Sequence, residues 1–281
     1  MKTLLVPTNF SIQSDNAILY AVEFGEKLNA KITLFHAYHT FPDDHRIPFE
    51  QNCVEPALIR HQSETELKKR CLDIGNKTSL PCDFINLEGL AQEAIIDQAN
   101  TLKPEILIVG TEKHTPIQRM SKTKTEKVIQ NVDCSVMSVP LDKEYTAIRK
   151  IAFAIYYHAS EIDEIRYLLK IAEKFDAEIH IIHVVRSMDN VNIERNYFEA
   201  FKEEVQDSIP DQDFVFCFIK GDNISEELEH YVEDAQIDLI AVTRSKKNVV
   251  DKMLSTGVST QLYRNLNIPL LVLNMDGTAL N

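Results

Sequence analysis

Asn29-Ala30-Lys31-Ile32-Thr33-Leu34-Phe35-His36 and Asp176-Ala177-Glu178-Ile179-His180-Ile181-Ile182-His183 are one pattern written twice, 147 positions apart. Each is an alternating apolar run that ends in His, and period-two alternation marks a strand with two unlike faces. At the same offset, Leu4-Leu5-Val6 falls on Ile151-Ala152-Phe153. Further along, Glu105-Ile106-Leu107-Ile108-Val109-Gly110 matches Asp238-Leu239-Ile240-Ala241-Val242-Thr243. Last, Cys134-Ser135-Val136-Met137-Ser138-Val139 matches Ile268-Pro269-Leu270-Leu271-Val272-Leu273. Matches that keep their order over both halves identify an internal duplication.

Between these strands the apolar period changes to that of a helix. Ala17, Ala21, Phe24 and Leu28 follow the first strand, and Ile162, Ile165, Leu169 and Ala172 follow its copy. Charged helical stretches are expected over about 55–75 and 190–208, and third strands over 83–87 and 213–219. Third helices carry Leu90, Ala94, Ile95 and Ala99 in one half and Ile224, Leu228, Tyr231 and Val232 in the other. A fourth strand (105–110; 238–243), a polar loop, a short helix and a fifth strand complete each unit. Strands alternating with helices imply parallel pairing through right-handed crossovers. The continuous apolar fourth strands suit positions buried on both faces. The expected fold is therefore α/β, with two tandem open doubly wound parallel-sheet domains at 1–141 and 148–276. The apolar pattern breaks between them near Leu141–Ile148. Residues 40–56, with Pro42, Pro48 and Pro56, read as a long excursion near the ligand edge of the first sheet.

Composition sets the outer bounds. Of 281 residues, 44% are apolar and 26% charged, enough to fill a core. Acidic residues number 43 against 30 basic ones, for a net charge of −13, which argues against a nucleic-acid partner. No apolar run is long enough to span a membrane, and Pro7 interrupts the N-terminus too early for a signal-peptide core. A cytoplasmic protein is expected. The five cysteines (Cys53, Cys71, Cys82, Cys134, Cys217) form no C-x-x-C pair. They read as reduced thiols, with neither a disulfide framework nor a zinc ribbon.

The opening Leu5-Val6-Pro7-Thr8-Asn9-Phe10-Ser11 resembles the strand and Pro-Thr-Asp-Phe-Ser turn of the universal stress protein family. Phe35-His36-Ala37, Glu105 to Thr111 and Cys134-Ser135-Val136-Met137-Ser138-Val139-Pro140 are similar to that family's later motifs, in the same order. The resemblance covers essentially the whole chain and is closer in the first half. It implies a tandem member with a Rossmann-like, adenine-nucleotide-alpha-hydrolase-like fold and pseudo-twofold related halves. It also implies a role in stress response through binding rather than turnover. Some members bind ATP through a G-x-x-G-x9-G-[ST] loop. Its glycines let backbone N–H groups approach phosphate oxygens.

This chain departs from that loop. Gly110 stands at the first glycine, but Lys113 and Lys122 stand at the next two, followed by Thr123, and the loop is one residue short. The first-strand Asp is Asn9. In the second half Thr243, Lys246 and Thr256 take the glycine positions, although Gly257 follows, and Ala154-Ile155-Tyr156 replaces Pro-Thr-Asp. The resemblance thus implies a degenerate second half. In the first it implies at most a weak or altered nucleotide or anion site, for ATP or AMP, at Thr8, Asn9, Ala37, Val109, Gly110, Lys113, Lys122 and Thr123. The alternatives are a protein-interaction module of the class that does not bind ATP, with a partner the sequence does not name, and a slow ATPase.

Two basic loops bear on this choice. Lys113, His114, Arg119, Lys122, Lys124 and Lys127 follow the fourth strand of the first half, and Arg244, Lys246, Lys247 and Lys252 that of the second. They are either solvated surface charges or a side-chain substitute for the missing backbone cradle around a small anion. His36 and His183 hold matching strand ends and read as scaffold. His39, His45 and His61 lie around Asp43, Asp44 and Cys53, but their spacing fits no zinc pattern, so no metal site is expected. His180 lies an odd number of residues from His183 and should face the other way. Tyr156-Tyr157-His158 would fill the vacant second pocket or stack on another ligand. Cys134 reads as a small core residue, and no catalytic motif is present. The apolar final strands would pair with each other inside the chain, as an intrachain pseudo-dimer, with a further homodimer left open.

Overall fold

A computed structural model describes residues 1–39, 55–111, 124–140, 145–157, 161–186, 188–244 and 266–274. In the first half β1 (Thr3–Pro7), α1 (Ile12–Leu28), β2 (Lys31–Tyr38), α2 (Pro56–Lys77), β3 (Cys82–Glu88), α3 (Ala91–Leu102) and β4 (Ile106–Thr111) alternate as expected. They are followed by α4 (Lys124–Asn131) and β5 (Ser135–Pro140). The second half repeats the order with β6 (Lys150–Ala154), α5 (Glu161–Phe175), β7 (Glu178–Val185), α6 (Val191–Ser208), β8 (Phe214–Lys220), α7 (Ile224–Asp234), β9 (Leu239–Thr243) and β10 (Leu270–Leu273). The short helix expected before the last strand lies outside the described residues.

The chain divides into two compact units. One holds β1 to β4 and α1 to α4, and the other holds β5 to β10 and α5 to α7. In the first unit the parallel order is β3-β2-β1-β4, with Leu5 opposite both Thr33 and Leu107. In the second it is β8-β7-β6-β9-β10, again parallel, with β5 added antiparallel to β10. The order in which the chain adds strands reverses between β1 and β4, and between β6 and β9, while the strands stay parallel. In a doubly wound sheet that reversal opens a crevice at the carboxyl ends of the strands, where ligands sit.

Burial follows the apolar pattern. Leu4, Leu5, Ile106, Leu107 and Ile108 are fully buried in one unit, as are Ile151, Phe153, Leu239 and Ile240 in the other. The expected pairing of final strands is present, with Leu271 opposite Met137 and both buried. Ser138 Oγ donates to the Leu270 carbonyl and Ser135 Oγ accepts from the Asn274 N–H, so both buried serines of β5 are satisfied. His180 meets Tyr231 of α7 and His183 meets Phe198 of α6, which puts them on opposite faces of β7 as their spacing requires. Cys134 is buried just before β5 begins.

With so few glycines, helix ends turn on other residues. Asn29, Lys103, Asp176 and Gln236 all have φ between 46° and 55° just past a helix. Asn29 and Asp176 are repeat equivalents, each following the equivalent helix. Left-handed backbone costs a residue with a Cβ roughly 1–2 kcal/mol. Among the described residues, no helix is long and apolar enough to cross a membrane.

Candidate functional site

The crevice of the first unit is built on the turn from β1 into α1. Thr8 is buried and bonded on every side, its hydroxyl donating to the Ser14 hydroxyl at 3.0 Å. Its N–H donates to the Phe35 carbonyl at 2.8 Å, its carbonyl accepts from His36 Nδ1 at 2.7 Å, and its hydroxyl accepts from the Phe10 N–H at 3.0 Å. A carbonyl can only accept, so the His36 proton sits on Nδ1. Burial lowers the His36 pKa, with the Thr8 bond working the other way. The neutral ring is thus a strut between strand ends, the scaffold role expected for it.

Asn9 is exposed, and its Oδ1 accepts from the Ser11 N–H at 3.2 Å and the Ser11 hydroxyl at 2.5 Å. Ser11 in turn caps α1 by accepting from the Ser14 N–H. The side chain at the position of the family Asp is therefore engaged in shaping the turn. Gly110 is explained by packing. A Cβ there would lie 2.2 Å from the carbonyl oxygen of Gln13, so only glycine lets α1 approach β4 this closely. Val109 is buried beside it, and Ala37 is half-buried near the end of β2. Thr8, Asn9, Ala37, Val109 and Gly110 thus gather at the carboxyl ends of β1, β2 and β4. Lys113, Lys122 and Thr123 lie outside the described residues, as do His45, Asp43, Asp44 and Cys53.

One residue of the opening motif has a part that the motif does not state. Phe10 takes φ 64° and its ring lies 4.4 Å from that of His36. The Arg70 guanidinium, from α2, sits 5.0 Å over the Phe10 ring. Arg70 donates to Asp15 at 3.0 Å and also to Glu66. Burial opposes its charge, but the two carboxylates outweigh that and raise its pKa. A cation is therefore held at the crevice, already engaged by acids of the chain itself.

The second unit repeats the frame and changes the chemistry. His183 Nδ1 donates to the Ile155 carbonyl at 3.2 Å, and Tyr157, at φ 61°, stacks 4.4 Å from the His183 ring. Phe201 packs 5.8 Å from Tyr157. Burial lowers the His183 pKa and pushes the Tyr156 hydroxyl up to about 12. Two carboxyl groups then enter the crevice from the first turn of α5. Glu161 and Glu164 are only 1% and 2% exposed. Glu161 Oε1 accepts from the Tyr156 N–H at 2.6 Å, and Glu164 bonds the hydroxyl of Thr243, the counterpart of Gly110. Burial pushes Glu164 up to about 8. Acidic side chains suit a helix N-terminus, and here the chain's own fill it.

A second cleft of about 790 Å³ opens at the other end of this sheet, among Arg149, Lys150, Glu233 and Asp238. The Asp238 carboxylate accepts from the N–H groups of Arg149 and Lys150 and so ties the starts of β6 and β9 together.

The universal stress protein family model matches residues 1–140 and again 148–274. The chain belongs to the universal stress protein family. A curated relative, universal stress protein A homolog 1 of Coxiella burnetii (strain RSA 493 / Nine Mile phase I), is 21% identical over 143 residues. The match covers 49% of this chain and 95% of that protein, so one relative corresponds to one half. A solved universal stress protein from Archaeoglobus fulgidus DSM 4304 superposes with a TM-score of 0.74 at 16% identity, covering 96% of this chain and 97% of its own. A putative universal stress protein from Pseudomonas aeruginosa UCBPP-PA14 gives 0.64 at 13%, covering 97% and 93%. The tandem fold is therefore shared along the whole chain.

Proposed function

We propose that this universal stress protein is a cytoplasmic stress-response protein that acts by binding rather than turnover, with one ligand-competent crevice. That crevice is the edge of the first unit, at Thr8, Asn9, Ala37, Val109 and Gly110, completed by Lys113, Lys122 and Thr123. Its ligand is an adenine nucleotide or related anion, ATP or AMP, held weakly. The observation that carries this reading is the contrast between the two crevices. The first is lined by neutral polar groups and the Arg70 cation, whereas the second encloses Glu161 and Glu164. Both side chains are buried and bonded, to the Tyr156 N–H and the Thr243 hydroxyl, so a phosphate would have to displace them from the helix start.

A second reading has its own support. Asn9 and Arg70 are both engaged within the chain, which favours a protein-interaction module without a small ligand. Calorimetric titration with ATP and AMP, with and without Mg²⁺, separates the two. The nucleotide reading expects saturable binding of one ligand per chain that a Lys113→Ala/Lys122→Ala variant loses. Absence of heat at high nucleotide concentration leaves the interaction module. Phosphate release above the level of that variant would favour the slow ATPase instead.

A further inference from the structure

Cys71 and Cys82 are 11 residues apart in sequence, and nothing in their spacing marks them as a pair. The fold brings them together. Cys71 lies toward the end of α2 and Cys82 opens β3, the edge strand of the first unit. Their sulfur atoms are 2.7 Å apart, about 0.7 Å beyond a ~2.05 Å disulfide bond. Both side chains are half-buried, so a small solute reaches them while the strand and helix hold them in place. The Cys71 sulfur also lies 3.4 Å from the Asp83 carbonyl oxygen, to which it donates as a thiol. Charged Lys31 and Asp83 form an ion pair beside them.

We propose that Cys71 and Cys82 are a reversible, peroxide-responsive dithiol that ties α2 to β3 when oxidised. The inference is independent of whether a nucleotide binds. The bond from Cys82 holds the Cys71 thiol below its ordinary value, while that same bond and burial push Cys82 up. The division of labour follows, because the thiolate is the nucleophile. The Cys71 thiolate attacks one oxygen of hydrogen peroxide. An S–O bond forms, the O–O bond breaks, and hydroxide leaves, giving a sulfenic acid. The Cys82 sulfur then attacks the Cys71 sulfur. An S–S bond forms, the S–O bond breaks, and the departing hydroxide takes the Cys82 proton. In sum, two thiols and one peroxide give one disulfide and two waters. The sulfurs lose two electrons and the peroxide oxygens gain them. Exchange with a dithiol reductant returns both thiols.

The consequence is local. No residue of β3 is fully buried, and the strand pairs with β2 along its whole length, from Cys82 to Glu88. Arg70, the cation over Phe10, is the neighbour of Cys71 on α2. Oxidation therefore fixes the helix that carries it.

The test is to treat the full chain with hydrogen peroxide, alkylate what remains, and map the peptides by mass. The expected result is a Cys71–Cys82 cross-link with loss of two hydrogens, a fall from five alkylatable thiols to three, and full return with dithiothreitol. Before oxidation, Cys71 should alkylate at least about tenfold faster than buried Cys134. In a Cys82→Ser variant, a diketone probe should trap sulfenic acid on Cys71. In Cys71→Ser, no cross-link should form. The proposal is overturned if peroxide leaves both thiols alkylatable, or if the cross-links join other cysteines or separate chains.

Discussion

At the residue scale, the two halves place different side chains on one frame. Phe10 and Tyr157 share a left-handed backbone, and each stacks on the histidine that braces its strand end. What differs is the group facing the helix start. Gly110 leaves room for the backbone of α1, whereas Thr243 bonds Glu164. The Glu164 carboxyl is raised by burial from 4.5 to about 8, so the folded chain holds a proton that the unfolded chain has lost. The sign follows. Its contribution to stability is fully present below pH 4.5 and falls as pH rises through about 8. Glu164→Gln keeps the shape and removes the titration. It should stabilise the protein by ~2–4 kcal/mol at pH 8.5 and hardly at all near pH 4. Urea midpoints at the two pH values check this, and an equal shift at both would contradict the assignment.

At the element scale, helices and strands were legible because their apolar periods are long and repeated. The Ile32-to-Phe35 and Ile179-to-Ile182 runs give two views of one strand, and they appear as β2 and β7 in matching positions. Side-chain partnerships were less legible. Arg70 reaches Asp15 across 55 residues and has no counterpart in the repeat, and Cys71 meets Cys82 through a helix-to-strand return that no periodicity encodes. The Phe10 stack could have been found, since Tyr157 with His183 stands at the same offset. Gly110 was assigned by motif to a phosphate loop, and the structure supplies a packing reason for it. Helix ends offer a direct test of the left-handed turns. Lys103 is exposed at φ 46°, with its N–H bonded to the Ala99 carbonyl. Lys103→Gly should raise stability by about 1 kcal/mol, seen as a higher urea midpoint with unchanged slope. An unchanged or lower midpoint would mean that the turn carries no strain.

At the scale of the whole molecule, duplication has kept the scaffold and divided the chemistry. β5 and β10 cover each other's apolar edges within one chain, with Leu270 opposite Ser138 and Val272 opposite Val136. The pairing that closes the final strands is thus built in. One crevice keeps neutral polar groups and a nearby cation, and the other is filled by tyrosine and buried carboxyl groups. The central claim is that ligand binding belongs to the first half alone. Photolabelling the full chain with an azido-adenine analogue of ATP, followed by peptide mapping, tests it most directly. The account predicts label only on peptides from residues 1–141, competed by unlabelled nucleotide. Label on peptides from 148–276, or none on either half, would contradict it.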